Sequence, residues 1–144
     1  MSRISIEHLD AAKKKVIFAI ALVARSVEKL ELYDINKIHT IDEIEPYDAL
    51  CDRFIRAVEV CIKYFRTYEY IFFVVQSDSL RDVLNIMEKT GLITNTPIWL
   101  DMRDIRNRIV HDYSPEQIKS MYDRIMNDFF VELKYFEKKI TCPN

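Results

Sequence analysis

The chain has 144 residues, enough to bury a core and of a length that suits one domain over residues 1–144. Apolar residues make up 49% and charged residues 31%, which excludes a disordered chain, and one glycine with four prolines is too little turn punctuation for a sheet-rich fold. With 21 basic against 23 acidic residues, the net charge of -2 excludes a broadly basic nucleic-acid-binding surface, so any such contact must be local.

In chain order, the first helix is expected from Ser5 to about Leu32, because Leu9, Ala12, Val16, Ile20, Val23, Val27 and Leu30 alternate steps of three and four. Residues Asp34 to Glu45 break that rhythm and read as a loop, with Pro46 in the first turn of helix two. Helix two carries the longest stripe: Leu50, Phe54, Ala57, Cys61, Tyr64, Tyr68, Ile71 and Val75. Off that stripe, Tyr70 and Phe73 suit a face covered by a partner or a second copy.

Ser77-Asp78-Ser79 ends helix two and caps helix three, whose inner positions are Leu80, Val83, Leu84 and Met87. Gly91, the single glycine, fits the left-handed position after a helix. Thr96 is expected to cap helix four with Pro97 at its first position, and Ile98, Met102, Ile105 and Ile109 to face the core. Ser114-Pro115-Glu116-Gln117 is a capping box, so helix five begins there and runs through Ile118, Tyr122, Ile125, Phe129, Leu133, Phe136 and Ile140. Four to five such helices make an all-α, antiparallel up-and-down bundle.

Cys51, Cys61 and Cys142 lack metal-ligand spacing, and Cys61 on an apolar stripe reads as a buried free thiol. Neither a metal nor a cofactor is expected. No run of about 18 apolar residues and no signal-peptide core appear, which points to a cytoplasmic setting away from the membrane.

The chemistry-bearing segment is Arg106-Asn107-Arg108-Ile109-Val110-His111-Asp112-Tyr113, with the spacing R-x4-H-x-Y at a helix end. Arginine grips phosphate oxygens in a fixed fork, and histidine exchanges protons near neutral pH, so the pair suits phosphodiester chemistry without a metal. At about 100° per residue, Arg103, Asn107, Val110 and His111 fall opposite the core stripe, while Arg106 sits at its flank. Arg106 and His111 therefore do not stack within one chain, and a two-fold dimer would bring two sets into one cleft. Arg103, one turn earlier, and the first-turn amides from Ser114 to Gln117 are candidate anion contacts. The same residues also admit a purely structural reading, with Arg106 and Arg108 paired to Asp101, Asp104 or Asp112 and His111 closing the helix.

At these residues the chain resembles the HEPN superfamily of small helical bundles, and R-x4-H-x-Y looks like the HepT toxins and the related substrate-binding partners of minimal nucleotidyltransferases. The resemblance implies a homodimeric, metal-independent endoribonuclease acting on RNA. Arg106 would position the phosphate, His111 act as general base or acid, and Asn107 orient the site. A cognate nucleotidyltransferase would neutralise the toxin by adding AMP to Tyr113. Trp99-Leu100-Asp101-Met102 looks more like the substrate-binding partner group, which implies a non-catalytic subunit instead.

Overall fold

The computed structural model describes residues 2–109 and 114–142. Helix α1 spans Arg3–Lys29, α2 Ile41–Phe73, α3 Leu80–Thr90, α4 Thr96–Ile109, α5 Pro115–Arg124 and α6 Phe130–Thr141, with a π-helical turn at Ile125–Phe129 joining the last two. No strand occurs among the described residues, and the expected all-α bundle is what forms.

α1 starts at Ser2, whose hydroxyl accepts the Ser5 amide, and packs most extensively on α2. Tyr47 Oη donates to the Glu31 carbonyl (2.7 Å), and Arg53 Nη1 donates to Ser26 Oγ (2.9 Å) and the Leu22 carbonyl (3.2 Å). Residue numbers thus rise along α2 as they fall along α1, the register of an antiparallel pair.

α2 begins earlier than its proline suggests. Thr40 and Glu43 form a reciprocal capping box that starts the helix at Ile41, and Pro46 lies inside it on an exposed face. Proline has no amide to offer the Asp42 carbonyl, but solvent can serve that carbonyl instead. The other end also departs from expectation, because Val75 lies beyond the helix and is exposed. Val74 takes the left-handed conformation (φ 53°), unusual for a β-branched residue, and closes α2. Buried Glu69 then accepts from the Ser77 amide (2.9 Å) and hydroxyl (2.5 Å), while Arg66 donates to the Ser77 carbonyl (3.0 Å). These bonds fold the chain back against α2.

Ser79 caps α3, and Gly91 (φ 83°) terminates it in the left-handed position, both as expected. Asn95 caps α4 in place of Thr96: its Oδ1 accepts the Ile98 amide at 2.9 Å. Thr96 is buried instead, donating its amide to Glu88 (2.6 Å) and its hydroxyl to Asn85 (2.8 Å). The core stripe of α4 is accordingly Thr96, Trp99, Met102 and Ile105, with Ile98 half-buried and Ile109 exposed.

Trp99 is the centre of the core. Its ring meets Phe65 edge-on (centroids 4.9 Å apart) and Phe136 (6.0 Å), and its indole Nε1 donates to buried Glu132 at 2.8 Å. Glu132 also accepts from the Thr94 amide (3.0 Å) and hydroxyl (2.5 Å), so one carboxylate ties the α3–α4 connection to α6. Sequence periodicity reads α5 and α6 as one helix, and they are continuous except for the π turn. There Arg124 lies over the Phe129 ring (4.4 Å) and pairs with Asp101 of α4 (3.0 Å).

Candidate functional site

Arg103, Arg106, Asn107, Arg108 and Ile109 form the C-terminal part of α4, and Ser114 caps α5. Val110, His111, Asp112 and Tyr113 lie outside the described residues, so the roles expected of His111 and Tyr113 have no geometry attached to them.

Arg106 follows Trp99 and Met102 at helical spacing, which places it on the α2-facing stripe where α4 runs out of core. It is exposed, and its guanidinium donates to Glu59 of α2 at 2.5 Å. Glu59 is the residue that sequence reasoning missed, because the pair spans 47 positions and has no local signature. Arg103 does not face away from the bundle as the helical wheel implied. It is half-buried and shares a shallow depression with Arg106, against Ile55, Val58 and Glu59. The wheel was centred on Ile98 and Ile109, whereas burial of Trp99 turns the helix and brings Arg103 towards α2.

Asp104 engages two neighbours: Arg108 Nε at 3.2 Å and Asn107 Nδ2 at 3.3 Å. The structural reading therefore holds for Arg108, whereas Arg106 selects Glu59 and Asp101 pairs with Arg124 on α5. Only Arg103 among these α4 arginines has no acidic partner within the described residues. An exposed ion pair contributes only about 0–1 kcal/mol, so an incoming phosphate can compete with Glu59 for Arg106.

The first turn of α5 offers less to an anion than free amides would. The Ser114 amide donates to Gln117 Oε1 (2.9 Å), the Gln117 amide donates to Ser114 Oγ (3.2 Å), and Pro115 has no N–H. That leaves the Glu116 amide, carried by a residue that is itself acidic.

Beside the motif, α2, α4 and α5 enclose a cleft of about 650 Å³. Asp48, Cys51, Asp52 and Ile55 line it from α2, Arg108 and Ile109 from α4, and Gln117, Ile118, Ser120, Met121 and Tyr122 from α5. Burial and, after it, the Asp48 and Asp52 carboxylates push the Cys51 thiol up to about 12, so it is no nucleophile at neutral pH. Cys61 is fully buried, as expected, and burial raises its thiol further still. No group of three or more metal-ligating side chains, and no helix long and apolar enough to cross a membrane, occurs among the described residues.

A family model described as "Nucleotidyltransferase substrate binding protein like" matches residues 18–141, a span that includes the whole Arg106–Tyr113 segment. No curated protein matches the chain significantly.

Proposed function

The chain belongs to the nucleotidyltransferase substrate binding protein-like family, and from that premise we propose that it is the non-catalytic helical partner of a nucleotidyltransferase. The family match over residues 18–141 carries this reading. Two physical features support it. The motif arginines Arg106 and Arg108 are balanced by Glu59 and Asp104, so the field around them is not the strongly positive one that RNA binding favours. At the far end of α2, Tyr70, Phe72, Phe73, Val74 and Val75 are exposed together, an apolar patch of the kind that a partner covers.

Co-expression with the nucleotidyltransferase of its own locus tests the proposal. The expected result is a complex that stays together through size exclusion, persists in His111→Ala, and weakens when Phe73→Asp charges the patch. A locus with no nucleotidyltransferase, or two proteins that elute apart, refutes it.

The ribonuclease reading stands second, on the R-x4-H-x-Y spacing and an Arg106 side chain exposed to solvent. It requires two copies to pair so that Arg103, Arg106, Asn107 and His111 of both line one cleft. It predicts growth arrest on expression of the chain alone, relieved by His111→Ala, and a dimer by light scattering. Harmless expression together with intact RNA after incubation rules it out.

A further inference from the structure

Among the described residues two helices close in the left-handed conformation, and their ends are built differently. α3 ends on Gly91 (φ 83°), where no Cβ opposes the conformation, and the Gly91 and Leu92 amides donate to the Glu88 (3.0 Å) and Met87 (3.1 Å) carbonyls. α2 ends on Val74 (φ 53°, ψ 40°), a β-branched residue that this conformation strains. No backbone amide of Val74, Val75 or Gln76 donates back to the last turn of α2. Nothing local therefore favours the turn at Val74.

The turn is imposed from Ser77. Its amide and hydroxyl donate to Glu69 (2.9 and 2.5 Å), and its carbonyl accepts from Arg66 Nη1 (3.0 Å), so all its polar groups are tied to the last two turns of α2. Glu69 is only 1% exposed, and the two Ser77 donors offset the cost of burying its carboxylate. Local sequence pulls the other way. The apolar series of α2 continues one turn past Ile71 to Val75, and neither glycine nor proline occurs between Val74 and Ser79. A helix continued through Gln76 would relieve Val74 and bond the Val75 and Gln76 amides to the Ile71 and Phe72 carbonyls, at the expense of the Ser77 bonds.

We propose that the α2–α3 junction is a two-state latch: Glu69, Arg66 and Ser77 hold the chain off the helix at Val74, and their release lets α2 run on through Gln76. The latch governs the apolar surface at this end of the bundle. Latched, Val74 and Val75 lie beyond the helix, exposed with Tyr70, Phe72 and Phe73. Released, helical spacing puts Val74 in line with Tyr70 and Val75 in line with Ile71, so the same five residues no longer offer the same surface. The use of this control in docking rests on the partner reading above, whereas the latch itself does not.

Carbon-13 Cα shifts of Val75 and Gln76 in the full chain test it, because helical backbone moves them downfield of their coil values. Val74→Gly relieves the latched state and disfavours helix, so it should keep both shifts non-helical and raise the thermal midpoint by about 2–4 °C. Ser77→Ala, which loses one bond, should move both towards helical values. Glu69→Leu, which loses two and fills the buried site with an apolar side chain, should move them further. A cooperative melt establishes that Glu69→Leu is folded, and Ser77→Ala, the smaller change, decides the matter if it is not. The nucleotidyltransferase of the locus should bind Glu69→Leu about fivefold more weakly or worse, and Val74→Gly as tightly as wild type. Unchanged or coil-like shifts in the Ser77 and Glu69 variants, or a midpoint that Val74→Gly leaves unchanged or lowers, overturn the latch. Helical shifts with undiminished binding overturn its control of the surface. If wild type binds no nucleotidyltransferase, the partner reading fails, and the shifts still decide the latch.

Discussion

The two ends of α4 are held by different kinds of interaction. Towards its N-terminus, Trp99 is buried among Phe65 and Phe136, and buried Glu132 collects donors from Trp99 and Thr94. Towards its C-terminus, Arg106 and Arg108 meet Glu59 and Asp104 in solvent, where screening and side-chain entropy leave little net attraction. The buried end fixes where α4 lies, and the exposed end can exchange its partners without unfolding the bundle. A recognition segment needs that combination of a fixed position and replaceable contacts.

The largest effect should come from breaking the buried end. Trp99→Ala removes the central ring and one of the three donors to Glu132, so a loss of about 3–5 kcal/mol is expected in urea unfolding. Glu132→Gln retains the shape but cannot accept from all three donors, and about 2 kcal/mol should go with it. A wild-type-like midpoint for either variant would show that the pocket around Trp99 is not the anchor.

Alkaline pH should test the buried groups next. Burial raises the Cys51 thiol and the Tyr64 phenol from ordinary values of 9.0 and 10.0 to about 12 each. The folded chain therefore holds protons that the unfolded chain releases, and the stability this gives is full below about pH 9 and lost as pH rises through 12. Denaturant midpoints should fall progressively across that window, and a flat profile would contradict the burial of these groups. Cys51→Ala should flatten the lower part of the slope.

At the exposed end, Glu59→Gln or Arg106→Ala should change stability by less than about 1 kcal/mol. A larger loss would mean that this pair anchors the helix as Glu132 does, and the contrast between the two ends would fail. The smallest effect belongs to Glu43 at the start of α2, whose carboxyl is held down at about 2 by Lys37 and by the Thr40 amide and hydroxyl. Its contribution is present above about 4.5 and disappears as pH falls through 2. Wild type and Glu43→Gln, which retains the capping-box geometry, should therefore converge in helical content at the acid end and differ slightly above it.

What was legible in the sequence was local. The Ser114–Gln117 capping box, the left-handed Gly91 and most stripe positions depend on residues within one or two turns, and the structure has them where expected. The Thr40–Glu43 box carries the same signal, but Pro46 drew the helix boundary too late, because a proline within the first two turns is tolerated where solvent serves the vacated carbonyl. Helix four was misphased because Ile98 and Ile109 extend an apolar series equally well, and only packing against Phe65 and Phe136 favours Trp99. The π turn shifts the phase of α5–α6 by a residue without breaking an apolar pattern already made of mixed steps. In the candidate site, the arginines and Asn107 were evident, but Glu59 and the cleft depend on how α2 crosses α4 and α5, which no spacing within α4 encodes.

The most direct measurement is the dissociation constant between this chain and the nucleotidyltransferase of its locus, compared for wild type and an Arg106→Ala, His111→Ala double variant. The proposed role as a helical partner predicts a stable complex whose constant changes by no more than a few-fold, alongside RNA left intact by the chain alone. No measurable complex, together with RNA cleavage that the double variant abolishes, would contradict it and return the motif to catalysis.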